Sequence, residues 1–365
     1  MTLKTILIAI MIVLSFSLAV GAKPVIVGYN GNFDSVILDK HNISNYTLHR
    51  QINAFSADIS ESVIEELVCE KKIRYIEDDG LIGVEKKSVQ SSQVIDWGVS
   101  TVNAPAAWVN STGTGIRIAV LDTGISKKHP DLNVAGGVNL VGNTYNNKWD
   151  DDNGHGTHVA GIIGARNNSI GIVGVAYGSE LYAVKVLGSN GNGQISDVIE
   201  GIEWAVANDM DIISMSIGTT YYSQALEDAC DYAYSSDVLL VSAAGNSGDG
   251  NLATNNVEYP AKFDTVIAVS AINHAGVAPF WSSEGDEVEL AAPGVDIYST
   301  YLGGGYATES GTSMATPFVS GIAALVKSEN LSLSSQELRN LLCLSAVDLG
   351  SSGRDPAYGY GLVVA

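Results

Sequence analysis

Residues 311–317 read GTSMATP and stand directly before an apolar run, residues 318–326, which predicts a buried helix. This order places Ser313 at a helix N-terminus, where backbone N–H groups lack an intrahelical acceptor and can bind a negative charge. Pro317 falls in the first turn, where its missing N–H costs little. Such a serine could be a nucleophile beside half of an oxyanion site. On this stretch alone, a serine that only caps the helix is an equally good interpretation.

The length and composition allow one large core and a small additional domain, because the chain has 365 residues and 46% are hydrophobic. Residues 1–22 have the pattern of a secretory signal peptide, with Lys4, the apolar segment 6–20 and small residues at its end. A helix of that apolar length spans about 22 Å, short of the roughly 30 Å hydrocarbon layer. We therefore expect a secreted, extracellular protein with no stable membrane anchor after signal cleavage; the less favoured alternative is that the segment stays uncleaved as an anchor.

The net charge of −21 lies mostly after residue 91, where 29 residues are acidic and 10 are basic. This balance argues against a nucleic-acid partner, because phosphate binding needs a basic face. A solvated acidic surface and an affinity for cations both remain open. Three cysteines, Cys69, Cys230 and Cys343, are too few for a disulfide framework. The sequence leaves open whether Cys230 and Cys343 pair.

The pattern of predicted helices and strands changes near residue 94. Before it, strands are predicted at 24–29, 48–59 and 73–76, and a helix at 60–70 in which Ser62 and Glu65 have capping-box spacing. These elements predict a small α+β unit, followed by a polar linker that contains Lys86-Lys87. After it, apolar strands alternate with helices, which predicts a parallel sheet covered by helices on both faces. The predicted strands are 116–121, 181–186, 212–216, 238–243 and 266–271, and the predicted helices are 155–164, 197–208, 224–235, 313–328 and 336–345.

Active sites in such folds lie at the carboxyl ends of the strands. Asp122 directly follows the strand 116–121 and could orient a partner, although a turn aspartate is the common alternative. His155 begins a helix and could be a general base. His158, one turn later, could add a metal ligand, but no third ligand is evident and the acids 150–152 suggest a solvated loop. Asn246 follows the strand 238–243 and could be a second oxyanion donor, or part of a turn.

Together these motifs resemble the subtilisin-type serine proteases, the subtilase family. The matching stretches are VLDTG (120–124), NGHGTH (153–158) and GTSMA (311–315), in the family's order of Asp, His and Ser. The resemblance implies a three-layer α/β fold with a mainly parallel sheet, preceded by a small ferredoxin-like prodomain. It implies a signal peptide at 1–22, an inhibitory prodomain at 23–84, an exposed processing linker at 85–92 and a catalytic domain at 93–365.

The resemblance also implies the chemistry. Ser313 would attack the peptide carbonyl, His155 would take its proton and Asp122 would orient the imidazole, while Asn246 and the Ser313 N–H would hold the oxyanion. The function would be that of a secreted serine endopeptidase, self-processed from a zymogen, with polypeptide substrates and its own prodomain as a temporary inhibitor. The alternative is a non-catalytic binding protein on the same fold.

In relatives the substrate binds as an added strand. The residues implied here are Ser216, Ile217, Gly218, Gly191 and Gly193 along the strand, Ile195 with Ile217 in an apolar pocket, and Ala243, Ala244 and Gly245 beside the scissile bond. Glu258 aligns with the floor of that last pocket. A carboxylate there would favour Lys or Arg, unless the side chain turns to solvent as most glutamates do.

The resemblance implies a structural calcium ion bound by a loop, residues 165–172, inside the helix that follows the histidine motif. The implied oxygen ligands, which suit calcium, come from Gln93, Asp131, Arg166, Asn168, Ile170 and Ile172. Glu287 and Glu289 are weaker candidates for a second cation site. The chain departs from the family at Phe318 and Ser320, where relatives usually have histidine and alanine, a change expected to affect packing.

Overall fold

The structure, a computed structural model, describes residues 21–33, 35–83, 94–142 and 144–365. The strands in these ranges are β1 (Lys23–Tyr29), β2 (Tyr46–His49), β3 (Ala54–Ile59), β4 (Ile73–Asp78), β5 (Leu81–Gly83), β6 (Arg117–Asp122), β7 (Val134–Asn139), β8 (Glu180–Lys185), β9 (Asn192–Gln194), β10 (Ile212–Met215), β11 (Leu239–Ala243), β12 (Val266–Ile272), β13 (Val288–Pro293), β14 (Ile297–Thr300) and β15 (Tyr306–Glu309). The helices are α1 (Ser35–Lys40), α2 (Glu61–Leu67), α3 (Trp97–Thr101), α4 (Ala104–Ala107), α5 (His155–Gly164), α6 (Ile195–Ala207), α7 (Gln224–Ser235), α8 (Thr312–Glu329), α9 (Ser335–Ser345) and the 3₁₀ helix Leu302–Gly304.

The N-terminal unit is a four-stranded antiparallel sheet in the order β2-β3-β1-β4, with α1 and α2 in the connections. This βαββαβ order is that of a ferredoxin-like unit. The single strand predicted at 48–59 is wrong, because Asn53 adopts a left-handed conformation and a turn separates β2 from β3. The predicted capping box is wrong too. Helix α2 begins at Glu61 with Ser60 as its N-cap, so Ser62 lies inside the helix.

The large sheet has seven strands in the order β13-β12-β11-β10-β6-β8-β7. Every neighbouring pair in it is parallel, which confirms the predicted fold class. The edge strands β7 and β13 were not predicted. Their sequences, VAGGVN and VELAAP, lack the run of β-branched residues that is typical of a strand.

Two hydrophobic cores cover the two faces of this sheet. Along β6, Ile118 and Val120 face the core that α5, α8 and α9 complete, whereas Ala119 and Leu121 face the core of α6 and α7. Alternation of this kind follows from the two-residue period of a strand. The result is three layers, with the carboxyl ends of β6, β10 and β11 at one edge. Among the described residues, no helix combines the length and the apolar composition needed to cross a bilayer.

Candidate active site

A histidine and an aspartate meet at the carboxyl end of β6. Asp122 is the last residue of β6 and His155 is the first residue of α5. The imidazole Nδ1 lies 2.8 Å from Asp122 Oδ1 and 2.9 Å from Oδ2, and both side chains are buried. Gly156 permits this approach, since a Cβ there would lie 3.0 Å from Asp122 Oδ1. Asp122 thus fixes the orientation of the imidazole and leaves Nε2 facing the other way.

The environment of His155 favours a protonated imidazole. Burial lowers the pKa of His155, but the charge and hydrogen bond of Asp122, together with the charges of Glu309 and Asp151, outweigh burial and raise that pKa above its usual value. Within the described residues, His155 Nε2 makes no hydrogen bond. The ring can therefore accept a proton at Nε2 and hold it as an imidazolium next to Asp122.

His158 has different surroundings. Its Nε2 lies 3.1 Å from the carbonyl oxygens of both Ile297 and Ala307, so it donates to the hairpin of β14 and β15. Burial, with the nearby His155, lowers the pKa of His158 to about 3. A neutral, buried histidine bound to carbonyls is a packing residue. In the part of the chain that the structure describes, no group of three or more His, Cys, Asp or Glu could hold a metal ion.

The acidic run at 150–152 is solvated, as expected, at Asp150 and Asp152, which are exposed, but not at Asp151. Asp151 is buried, and its carboxylate accepts hydrogen bonds from the Thr123 hydroxyl, the N–H groups of Asn153 and Gly154, and the Thr157 N–H and hydroxyl. Asp152 pairs with Lys185 at 2.7 Å. Asp151 therefore ties the end of β6 to the start of α5. In the sequence, the feature that indicates this role is the position of Asp151, four residues before His155.

Ser313 is the second residue of α8, in the first turn, whose N–H groups have no intrahelical acceptor. Its hydroxyl donates to the Ser216 carbonyl at 3.3 Å, and the Ser216 hydroxyl donates to the Ser313 carbonyl at 2.7 Å. Helices α5 and α8 pack against each other. In this arrangement the Ser313 hydroxyl is held at the end of β10 rather than on His155. Catalytic hydrogen bonds of this kind often tighten only when substrate is bound.

The side chain of Asn246 is oriented by the residue before Ser313. Its Oδ1 accepts from the Thr312 N–H at 2.9 Å and from the Thr312 hydroxyl at 3.1 Å. Because the oxygen is used in this way, the Nδ2 amide group remains as the donor. The Asn246 amide therefore offers N–H donors beside the helix N-terminus that carries Ser313.

A groove beside Gly193 already holds an added strand. β5 of the N-terminal unit pairs antiparallel with β9, with Leu81 opposite Gln194, Ile82 opposite Gly193 and Gly83 opposite Asn192. Gly191 precedes β9, and Ile195 and Ile217 are buried nearby in the same core. The chain thus uses this edge for strand addition.

The N-terminal unit also contacts two helix N-termini. Asp79 accepts from the Ser196 N–H at 2.8 Å at the start of α6. Glu77 accepts from the N–H groups of Gln224 and Ala225 at the start of α7, at 2.7 and 3.0 Å. Carboxylates are favourable at these positions because of the helix dipole and the unpaired N–H groups.

Glu258 stands between the segments that were expected to form the pocket. Its N–H donates to the Ala244 carbonyl at 2.8 Å, and its Oε1 accepts from the Ser247 hydroxyl at 2.9 Å. A Cβ added at Gly218 would collide with its Oε2, and one at Gly245 would lie 2.8 Å from its Cδ. Ala243 and Ala244 are buried. Glu258 is therefore partly buried, and its carboxylate lies against Gly218 and Gly245.

The loop expected to bind calcium is gathered around Asp131. The Asp131 carboxylate is buried and accepts from Asn168 Nδ2 at 2.9 Å and from the Ile172 N–H at 2.8 Å, and the Asp131 carbonyl accepts from the Arg166 N–H at 2.9 Å. Asn168 Oδ1 accepts from the Ile170 N–H at 2.7 Å. The loop was expected inside a helix, but α5 ends at Gly164 and the loop follows it.

Gln93 lies outside the described residues, but the next residue reaches this loop, since the Val94 N–H donates to the Gly171 carbonyl at 3.1 Å. The weaker second cation site is disfavoured by its neighbours. Glu289 accepts from Arg339 and Cys343, and Glu287 accepts from Asn255 and lies 4.0 Å from Lys262.

The cysteines, Phe318 and Glu309 can also be compared with the sequence-based expectations. Cys69, Cys230 and Cys343 are free thiols, so Cys230 and Cys343 do not pair. Phe318, the departure from the family pattern, is buried against Gly98, where an added Cβ would collide with its ring. Glu309 was missed. It is buried on β15, four residues before Ser313, and contributes to the raised pKa of His155.

The comparisons with known proteins agree with this geometry. The model of the subtilase family matches residues 113–361. The chain is 43% identical over 315 residues to subtilisin E of Bacillus subtilis, covering 86% of this chain and 80% of that protein. It is 43% identical over 316 residues to a thermostable alkaline protease of Halalkalibacterium halodurans, covering 86% and 82%.

A third relative, the minor extracellular protease Epr of Bacillus subtilis, is 42% identical over 325 residues, covering 86% of this chain. The match spans about half of that longer protein, 49% of its length. Each match covers 86% of the chain, more than the 272 residues of 94–365 can supply, so it also includes part of the segment before residue 94. The chain belongs to the subtilase family, and it is a serine endopeptidase.

Proposed function

We propose that Asp122, His155, Ser313 and Asn246 carry out peptide-bond hydrolysis in this chain. The observation that supports this assignment best is the double contact of Asp122 with His155 Nδ1, which leaves Nε2 as the base. During attack, the Ser313 hydroxyl rotates from Ser216 to His155 and gives its proton to Nε2, while Oγ bonds to the carbonyl carbon. The Asn246 amide and the Ser313 N–H stabilise the oxyanion, and His155 then protonates the amine as the C–N bond breaks, which leaves an acyl-enzyme ester on Ser313. Water then gives a proton to His155 and attacks the ester, and His155 returns the proton to Ser313 Oγ as the acid product leaves.

A serine-directed inhibitor tests this assignment. A sulfonyl fluoride should abolish hydrolysis and should be found attached to Ser313 by peptide mapping, because only an activated hydroxyl reacts readily. 1,10-Phenanthroline, which binds zinc strongly and calcium weakly, should leave hydrolysis unchanged. Inhibition by phenanthroline together with an unlabelled Ser313 would instead favour a metallohydrolase, in which His155, His158 and the acids 150–152 would hold the metal ion.

The organisation of the precursor belongs to the same proposal. Residues 1–22 serve as a signal peptide, 23–84 as an inhibitory prodomain, 85–92 as the processing linker and 93–365 as the catalytic domain. The pairing of β5 with β9 supports inhibition, because it fills an edge that a substrate strand would use. The segments 1–20 and 84–93 lie outside the described residues. Secretion of the mature protease is proposed from the signal pattern and from the extracellular relative Epr.

The substrate is proposed to be a polypeptide in extended form. It would pair with Gly191 and Gly193 on one side and with Ser216, Ile217 and Gly218 on the other. Ala243, Ala244, Gly245 and Glu258 would surround the side chain that precedes the scissile bond. The carboxylate of the partly buried Glu258, between Gly218 and Gly245, supports a preference for Lys or Arg there, since a partly desolvated ion pair gains more than an exposed one.

Glu258→Gln should therefore reduce the preference for basic residues. We expect the ratio of kcat/KM for Lys or Arg peptides over matched Phe or Leu peptides to fall by about 5- to 30-fold. Added salt should reduce the same ratio in the unmodified enzyme, because salt screens the ion pair. If Phe and Leu peptides are preferred from the start, and Glu258→Gln changes no ratio, then the carboxylate does not contact the substrate side chain.

A calcium ion is proposed in the loop after α5. The residues fit such an ion, because Asp131 offers a buried carboxylate and Asn168 an amide oxygen, while Arg166, Ile170 and Ile172 offer backbone carbonyls. Gln93 would supply a further amide oxygen. Calcium prefers six to eight oxygen ligands, several of them neutral. A bound ion would neutralise Asp131, whose pKa burial raises, and would hold the loop to the chain segment at Val94.

A further inference from the structure

The added strand continues one residue beyond β5. The Ile195 N–H donates to the Gly80 carbonyl at 3.0 Å, which follows on from the pairing of Leu81 with Gln194 and of Ile82 with Gly193. Gly80 therefore occupies a defined position in the groove, two residues before the residue that faces Gly193. A substrate strand that replaces β5 in this register places one of its own residues there.

The surroundings of Gly80 are apolar and open. A Cβ built on Gly80 would lie 3.4 Å from Ile195 Cδ1 and 3.8 Å from Tyr221 Cδ2, both ordinary van der Waals distances. Ile195 is buried, whereas Tyr221 remains 68% exposed with the N-terminal unit in place. Any side chain at this position would thus enter the space between an aliphatic residue and an aromatic ring, and glycine leaves that space unused.

The backbone that carries Tyr221 is well anchored. Thr219 and Tyr259 exchange two backbone hydrogen bonds, of 2.9 and 2.8 Å, and the Tyr221 N–H donates to the Thr219 hydroxyl at 3.2 Å. The next ring, Tyr222, packs edge-on against Tyr259 and Phe263, with centroids 5.6 and 6.2 Å apart. With Tyr222 directed away into this aromatic cluster, Tyr221 is left at the groove.

We propose that Tyr221 and Ile195 form a binding site for an apolar side chain, aliphatic or aromatic, of the substrate residue that takes the position of Gly80. This site extends substrate selection well away from the scissile bond, and it rests on the proposed strand-addition binding of substrates. The chain's own segment carries glycine at this position. It therefore pairs through its backbone without the side-chain contact, which favours its replacement by substrates that make that contact.

The test uses peptides with the sequence of residues 76–92, in which Gly80 is replaced by Ala or by Leu. The mature protease should cleave the Leu peptide with a kcat/KM about fivefold higher, the gain expected from partly burying a leucine side chain. Tyr221→Ala should bring this ratio close to one. Tyr360→Ala, which alters an exposed tyrosine stacked on Arg354, should keep the ratio of the unmodified enzyme. Equal cleavage of both peptides by the unmodified enzyme would overturn the proposal.

A second measurement does not depend on catalysis. In the full chain with Ser313→Ala, Gly80→Leu should give a higher melting temperature than Gly80→Ala, because the leucine contacts Tyr221 and Ile195. Adding Tyr221→Ala should remove the difference. No difference in the first comparison, or one that persists without Tyr221, overturns the proposed site. Failure to cleave either peptide, with the melting difference present, would instead contradict the proposed mode of substrate binding.

Discussion

Ser313→Ala should lower the turnover of peptide hydrolysis by about 10⁶-fold, the scale expected when the nucleophile of a serine–histidine unit is lost. The precursor should also stay uncut, because the proposal assigns removal of the prodomain to the enzyme itself. The measurements are kcat on a chromogenic peptide and the size of the purified chain after incubation. Processing of a Ser313→Ala precursor in a protease-free preparation would contradict self-cleavage.

The two histidines provide the matched control. His155→Ala should lose as much turnover as Ser313→Ala, and the double variant should lose little more, since the two residues act as one unit. His158→Ala should instead lower the melting temperature, because it leaves the carbonyls of Ile297 and Ala307 without their buried donor. The fraction of the His158→Ala protein that folds should keep most of the turnover of the unmodified enzyme. If His158→Ala matched the loss seen with His155→Ala, the assignment of the base would be wrong.

Removal of calcium should destabilise the protein by about 2.7 kcal/mol when the ion was present at 100 times its dissociation constant. The expected result is a lower melting temperature in excess EDTA and recovery on adding calcium. Asn168→Ala should melt at a lower temperature and lose most of the EDTA effect. Asn167→Ala, which changes the adjacent exposed asparagine, should retain it. An identical melt of the unmodified protein with and without EDTA would contradict the site.

Helices and strands whose apolar residues recur with a clear helical or strand period could be predicted from the sequence. Helices α5 and α7 have the predicted bounds, β6 is shifted by one residue at both ends, and β12 is longer by one residue at its end. The hairpin of β14 and β15 was not predicted, because its short strands contain Ser, Thr and Glu and their pairing is set by contacts with α5. The local sequence pattern predicts a helix or strand when the burial of that element sets the spacing of its apolar residues. It fails when contacts with a neighbouring element decide the structure.

The residues of the candidate site also divide into those that the sequence can identify and those that it cannot. Asp122, His155 and Ser313 each lie in a short local motif, so sequence alone could single them out. The burial of Asp151 could not be predicted, since it depends on Thr123 and Thr157, which come from two other segments. The direction of Glu258 is likewise set by Ser247 and by the open space at Gly218 and Gly245. These positions depend on contacts between different loops, strands and helices, which a local sequence pattern does not record.

The two carboxylates at the starts of α6 and α7 have a consequence for the order of folding. Strand β6 pairs with β10, about ninety residues later in the chain, so the parallel sheet forms slowly because long loops must close first. The pairs β1–β3, β2–β3 and β1–β4 join residues that are nearer in the chain, all within residues 23–78. We therefore expect Glu77, on β4, and Asp79, which follows β4, to be in place before the parallel sheet closes. Each carboxylate can then receive the N-terminus of its helix ahead of the strands that will bury that helix.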